Sequence, residues 1–184
     1  MEVNLILTAV CEMLEKDTLA AKLKLDERTL TDAESAEVAL FSKCLNFVLN
    51  EMATEYCPLI FKEEISSSDG QFDLTSLSKT IAYVKSLKSK NGNELKYKIY
   101  GDKLSFFEGN AVIEYCYVPE EVSVDGETEL TVPARVIAYG VLREYYLLKD
   151  MPTEASFFEE RFKNSLVVFA RKKSEIQIPK RIWK

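Results

Sequence analysis

The stretch from Val132 to Lys173 restricts the fold more than any other. Pro133 can open a helix, because the N–H it lacks would be an orphan donor at the first helical position. Val136, Tyr139, Gly140, Leu142 or Arg143, and Tyr146 then recur at three- and four-residue spacing, the period of one helix face. Lys149-Asp150-Met151-Pro152 interrupts that period, since a proline pushes the residue before it out of helical space. Thr153 is placed to cap a second helix with Ala155, Phe158, Phe162, Leu166 and Phe169-Ala170 on one stripe. So short a connection makes the two helices, 133–149 and 153–172, antiparallel neighbours.

A hydrophobic fraction of 47% and an aromatic fraction of 11% in 184 residues supply a real core, and the length suits one domain over residues 1–173. No apolar run reaches the roughly 18–20 residues of a membrane span. The chain starts Met1-Glu2-Val3-Asn4, an acid where a secretory signal carries lysine. The expectation is a soluble protein of the cytoplasm that does not enter a membrane. Cys11, Cys44, Cys57 and Cys116 lack CxxC spacing and fall mostly inside helical or strand patterns, so buried, reduced thiols are expected. Histidine is absent, which removes every Ser-His or Cys-His mechanism and the commonest nitrogen ligand of zinc.

The net charge of −6 is uneven. Residues 171–184 carry six basic groups and one acid, whereas the remaining 170 residues carry 18 basic and 29 acidic groups. An acidic body is ill suited to sequence-specific binding of a double helix, which needs several Lys or Arg on phosphates.

Residues 2–16 read as a first helix on Val3, Ile6 or Leu7, Val10 and Leu14. Leu19, Leu23 and Leu25 alternate with lysines and allow a short helical turn. Thr31-Asp32 with Glu34 signals a helix start, and Val38, Phe41, Leu45, Val48-Leu49 and Met52 carry that helix to about 57, before Pro58. Leu59 to Asp73 reads as irregular, with a turn at Ser66–Gly70. A β region over 80–118 follows. It comprises Ile81–Ser86, Glu94–Tyr100 with Leu95, Tyr97 and Ile99 on one face, Lys103–Phe107 after Gly101-Asp102, and Ala111–Val118 after Glu108-Gly109-Asn110. Four short strands joined by tight turns predict an antiparallel meander. The predicted class is α+β: an antiparallel bundle of about four helices with an inserted β-meander.

Few residues suggest bond chemistry. Glu63-Glu64, Glu120-Glu121 and Glu159-Glu160 are adjacent carboxylates, but a glycosidase needs two carboxylates facing each other across a cleft. Gly101-Asp102 and Asp125-Gly126 lack the ligand series of a calcium loop, and no phosphate-binding glycine motif occurs. No catalytic residue, metal ligand or cofactor is assigned. Tyr97, Tyr100, Tyr115 and Tyr117 on strands, and Tyr139, Tyr145 and Tyr146 on the third helix, suit either core packing or a contact surface.

The segment 174–184 is the sharpest feature. Ile176, Ile178 and Ile182 alternate with polar groups, Pro179 prevents a helix, and Arg181 and Trp183 add a cation and the single tryptophan. A free terminus normally frays. One with apolar anchors suits docking, as an added strand or in a groove, on its own domain or on another subunit.

The order of parts, together with 46–59 (Asn46-Phe47-Val48-Leu49-Asn50-Glu51-Met52-Ala53-Thr54-Glu55-Tyr56-Cys57-Pro58-Leu59), Ala138–Tyr145, and Phe158-x3-Phe162-x3-Leu166, resembles the head–tail connector proteins of tailed bacteriophages and prophages. Within these the layout is similar to tail adaptors or gatekeepers of short-tailed phages, over about residues 32–172. The resemblance implies a structural role without enzymatic activity: a homo-oligomeric ring between the portal protein and the tail proteins. DNA would pass through it, assembly would occur in the bacterial cytoplasm, and the mature location would be the virion neck. Head-to-tail copies need two different complementary faces, and a closing rotation makes them a ring. An acidic wall would repel DNA rather than grip it.

Two other readings stay open at this point, a small carboxylate-using hydrolase and an unrelated intracellular protein-binding module. Removing residues 174–184 is expected to leave the monomer folded, with an unchanged circular-dichroism spectrum, while weakening assembly in sedimentation velocity. A truncated chain that cannot fold would contradict this assignment of the segment.

Overall fold

The computed structural model describes residues 1–25, 29–67, 70–107 and 109–173, with side chains to 169. Among the described residues it is α+β, with five α-helices and six strands. These elements divide into two compact units. One comprises residues 1–45, 124–127 and 131 onward; the other comprises residues 46–123 and 128–130.

The first unit is helical. Helix α1 (Val3–Met13) buries Val3, Ile6, Leu7 and Val10 of the expected stripe, while Leu14 is its half-buried C-cap, so the helix is shorter than the 2–16 read. The leucines after it do form a helix, α2 (Asp17–Leu23), with Leu19 and Leu23 buried and Leu25 exposed. It is a fifth helix beyond the four expected. Helix α3 (Asp32–Glu51) starts with a capping box: the Thr31 N–H donates to Glu34 Oε2 at 2.8 Å, and the Glu34 N–H donates to Thr31 Oγ1 at 3.3 Å. Lys22 adds a 2.8 Å bond to the same carboxylate, and these bonds hold Glu34 down at about 2.

Helix α4 (Ala134–Leu148) is the centre of this unit. Every residue from Ile137 to Arg143 is buried except half-buried Tyr139, so packing surrounds it instead of favouring one stripe. Val136, Tyr139 and Tyr146 are only half-buried, and the fully buried Ile137, Ala138 and Val141 fall between them. Helices α1 and α5 (Pro152–Lys173) both pack on α4, and Tyr145 meets Phe41 of α3 with ring centroids 5.3 Å apart. The α5 stripe is as expected, with Ala155, Phe162 and Leu166 buried and Phe158 and Phe169 half-buried.

Two helix starts differ from the sequence reading. Pro133 is the N-cap of α4, with extended ψ 136, and not its first helical residue. Pro152 occupies the first position of α5, which places Thr153 inside the helix and not at its cap. Two helix stops carry no glycine. After α4, the Asp150 N–H donates to the Leu147 carbonyl and the Met151 N–H to that of Tyr146, with Asp150 at φ 57. After α1, Glu15 and Lys16 repeat the arrangement, with Glu15 at φ 56. Both are Schellman stops on residues with a Cβ.

Arg143 is buried with its charge matched. It donates twice to Glu144 Oε1, at 3.0 and 2.7 Å, and once to Glu159 at 2.9 Å, while lying 5.3 Å from the Phe162 ring centre. Burial raises the Glu159 carboxyl, but Lys163 and Arg143 together outweigh it and hold it below its usual value.

In the second unit α3 ends in a π-helical turn, Met52–Tyr56, closed by a 2.7 Å bond from the Cys57 N–H to the Met52 carbonyl. The stretch read as irregular then contains strands β1 (Ile60–Ser66) and β2 (Gln71–Asp73). Only Ile65 of β1 is buried, so its charged run hid a solvated outer strand. Strands β3 (Ile81–Lys88), β4 (Tyr97–Tyr100), β5 (Lys103–Phe106) and β6 (Asn110–Tyr117) occupy the predicted β region, but they do not form a meander. They build two antiparallel sheets, ordered β1-β6-β3 and β2-β5-β4.

The physical reason is β6. Its alternating Ala111, Ile113, Tyr115 and Tyr117 are all buried, so it needs a neighbour on each edge. Its other face carries Glu114, bonded to Lys85 at 2.9 Å and near Lys62 at 3.5 Å. One long antiparallel ribbon connects the sheets. Ser66 opposes Asn110, the Ser67 N–H bonds the Gly109 carbonyl, the Phe106 N–H bonds that of Gly70, and Gln71 opposes Ser105. The ribbon therefore changes sheets near Gly70 and Gly109. Of the turns read here, Ser68, Asp69 and Glu108 lie outside the described residues.

Gly70 has φ 78, and a Cβ there would stand 3.1 Å from the Phe106 carbonyl oxygen. Gly70→Ala is expected to lower stability by about 1–3 kcal/mol in urea unfolding. Asp150→Gly should raise it by roughly 0.5–1 kcal/mol, since relief at the αL site exceeds the added freedom of the unfolded chain. A neutral Gly70→Ala would refute the crowded bend.

Candidate functional site

The turn Ser89–Asn93 starts a hairpin that does not continue. Gly92 takes φ 84, the Ser89 N–H donates to the Asn93 carbonyl at 2.8 Å, and Lys88 bridges Glu94. The Leu95 N–H still reaches the Leu87 carbonyl at 2.9 Å. Beyond that β3 follows β6 and β4 follows β5, so the two strands part. Residues 74–75, 77–84, 99 and 101–102 line the resulting groove, of about 730 Å³.

Leu74 and Leu77 tie the groove to an apolar cluster shared by both sheets, with Ile65, Leu87, Leu104, Phe106, Ile113 and Tyr115 among its members. Ile99 (45% exposed) stands at its edge and Tyr100 (65%) follows it, while Tyr83 (44%), paired with Cys116, lies on the other face of β3. Gly101, at φ 58, supplies the positive-φ first position that a two-residue hairpin turn needs. Thr75, Ser78 and Thr80 contribute hydroxyls, and Lys79 and Asp102 are the charged lining groups.

The groove wall leading into β3 is pinned from the sheet behind it. Glu63 accepts from the Ser78 N–H at 3.1 Å, the Ser78 hydroxyl at 3.0 Å and the buried Tyr115 hydroxyl at 3.1 Å. The Lys79 N–H donates in turn to Tyr115 Oη at 3.3 Å. Burial, followed by the Glu63 bond, raises the Tyr115 phenol against a lowering contribution from the Lys79 N–H. Tyr117 donates to Glu129, and burial together with that carboxylate pushes it up to about 12.

The adjacent carboxylates are therefore dispersed. Glu63 holds the groove wall, Glu64 lies 3.7 Å from Lys90, Glu120 lies 3.7 Å from Lys79, and Glu159 serves Arg143. Among the described residues no cluster of His, Cys, Asp or Glu is arranged to hold a metal ion. The groove offers apolar lips, hydroxyls and strand edges, a set suited to holding an extended peptide. The tyrosines divide: Tyr115 and Tyr117 are core, Tyr97 and the α4 tyrosines are half-buried, and Tyr100 is a surface residue. Ile99 shares its strand face with half-buried Leu95 and Tyr97 yet is exposed. The clue to its exposure was the adjacent Tyr100, since two large apolar residues in succession break the alternation.

A second apolar surface lies on the helical unit, with Leu147, Leu148, Met151, Phe157, Val167 and Val168 exposed on α4, α5 and their connection. The docking residues read from sequence, Ile176, Ile178, Arg181, Ile182 and Trp183, lie outside the described residues. Among the described residues no helix is long and apolar enough to cross a membrane. No protein-family model matches the chain, and no curated protein matches it significantly.

None of the four cysteines forms a disulfide; Cys11, Cys44 and Cys116 are buried and Cys57 is half-buried. Burial pushes Cys11 and Cys44 up to about 11, and Cys116 Sγ lies 3.2 Å from the Ala53 carbonyl oxygen. At pH 8, iodoacetamide should therefore modify Cys57 at least tenfold faster than the other three, and all four only after unfolding, as read by mass spectrometry. Equal native rates would contradict these burials.

Proposed function

We propose that this chain is a structural head–tail connector subunit of a tailed bacteriophage or prophage, assembling as a ring between portal and tail. The observation that carries the reading is a pair of unlike apolar surfaces, one on each unit. The first comprises Leu147, Leu148, Met151 and Phe157 around the α4–α5 connection; the second comprises Tyr83, Ile99 and Tyr100 beside the groove. Large apolar groups exposed together, as at Leu147, Leu148 and Met151, mark a contact site. Two dissimilar sites on one subunit are what a head-to-tail ring needs, whereas a two-fold dimer needs one self-complementary site. The resemblance of the sequence over residues 32–172 supports the same conclusion. In this reading α1, α3, α4 and α5 act as one bundle that presents the first surface. The acidic balance outside residues 171–184 suits a channel wall that lets DNA slide. The subunit works by shape and adhesion, without bond chemistry.

Incubation with the portal ring of the same phage should yield a stacked second ring by electron microscopy, even if the isolated subunit is monomeric. Leu148→Lys with Phe157→Lys should abolish it, as should Ile99→Lys with Tyr100→Lys, each leaving the unfolding midpoint within about 0.5 kcal/mol, as for surface changes. The two variants mixed should form dimers and no rings, because each pair keeps one intact junction. A ring from either variant alone would overturn the reading.

A further inference from the structure

The groove between β3 and β4 is an interrupted sheet. The strands pair at Leu87 and Leu95 and then separate, and β3 is the outer strand of its sheet over Ile81–Lys85. An outer strand presents backbone donors and acceptors that another chain can pair. The base beneath it is apolar, through Leu74 and Leu77, and Ile99 is exposed at its edge, while Tyr83, paired with Cys116, lies on the other face of β3. A strand laid here would cover the apolar base and extend the first sheet.

We infer that residues 174–178 of a second copy add to β3 in this groove. Ser174-Glu175-Ile176-Gln177-Ile178 places Ile176 and Ile178 on one face when extended, two apolar groups toward an apolar base. Five extended residues span about 17 Å, the length of the Ile81–Lys85 edge. Pro179 has no N–H to donate, so pairing ends at Ile178. Lys180 and Arg181 then continue over a unit with thirteen carboxylates against eight lysines, Asp102 lining the groove itself. Backbone pairing supplies adhesion, and the isoleucine spacing sets the register. The choice of a second copy rests on the ring reading above: the segment leaves α5 in the helical unit, and a head-to-tail contact joins unlike units of successive subunits.

The test uses the full chain with the photo-crosslinking residue p-benzoylphenylalanine in place of Tyr83, mixed one to one as unlabelled and ¹⁵N-labelled copies. After irradiation, mass spectrometry should find peptides from 174–184 joined to the Tyr83 peptide, about half of them pairing light with heavy. Ile176→Asp with Ile178→Asp should cut that yield at least tenfold, while the unfolding midpoint stays unchanged. Hydrogen exchange at Ile81–Lys85 should slow as concentration rises, and should lose that dependence when 174–184 is removed. Crosslinks joining only like-labelled peptides would place the segment on its own copy and overturn the proposal, as would crosslinks that never include 174–184. Rings on the portal without this crosslink would sink the proposal and leave the connector reading standing. The crosslink without portal binding would do the reverse.

Discussion

The β unit depends on the demand of β6 for two neighbours. Four alternating side chains, Ala111, Ile113, Tyr115 and Tyr117, are buried along a strand of eight residues. That apolar face can be covered only if β6 is interior to its sheet and another layer packs on it. β1 and β3 flank it, and the second sheet completes the cover through Leu104 and Phe106. The ribbon 60–73/103–117 must then bend to serve both sheets, and it does so at glycines. The bend has a cost at β3 and β4. Their turn begins a hairpin, but each strand has a stronger partner elsewhere, so they part. The groove is a direct consequence of how the core was closed.

The helical unit solves a related problem by different means. α4 is buried at six of the seven positions from Ile137 to Arg143, which a one-sided stripe would not require. Arg143 sits inside that cover. A buried guanidinium without partners would be prohibitive, but Glu144 and Glu159 take its charge and Phe162 takes its face. Such a cluster fixes the register of α5 on α4 more than it adds to stability, since its partners remain partly hydrated. The Schellman stops at Glu15 and Asp150 fix where the chain turns. Both hold a residue with a Cβ in left-handed space, so the turns are set by packing on either side and not by local preference.

The functional reading follows from what these two solutions leave outside. Each unit keeps apolar side chains at its surface, of different kind and on different elements. The carboxylates Glu63, Glu120 and Glu159 each serve a separate local contact. Glu63 in particular braces the wall of the groove from the sheet behind it, so the groove enters any encounter with its shape already fixed.

Much of the helical part was legible in the residues. The stripes of α1, α3 and α5 were readable because burial on one side leaves a period of three to four, and Thr31 with Glu34 marked a start by its own chemistry. The hairpin at Gly101 was legible for the same local reason. What the sequence could not disclose was set by distant partners. β1 is hidden in Phe61-Lys62-Glu63-Glu64-Ile65, because an outer strand needs few apolar residues and its order comes from β6. The burial of the middle of α4, the glycine-free stops, the exposure of Ile99 and the groove itself were likewise decided by tertiary packing. Local sequence determines which segments can be helix or strand, through bonds and contacts a few residues apart. Pairing partners and exposed surfaces are settled only when segments far apart in the chain compete for the same apolar cover.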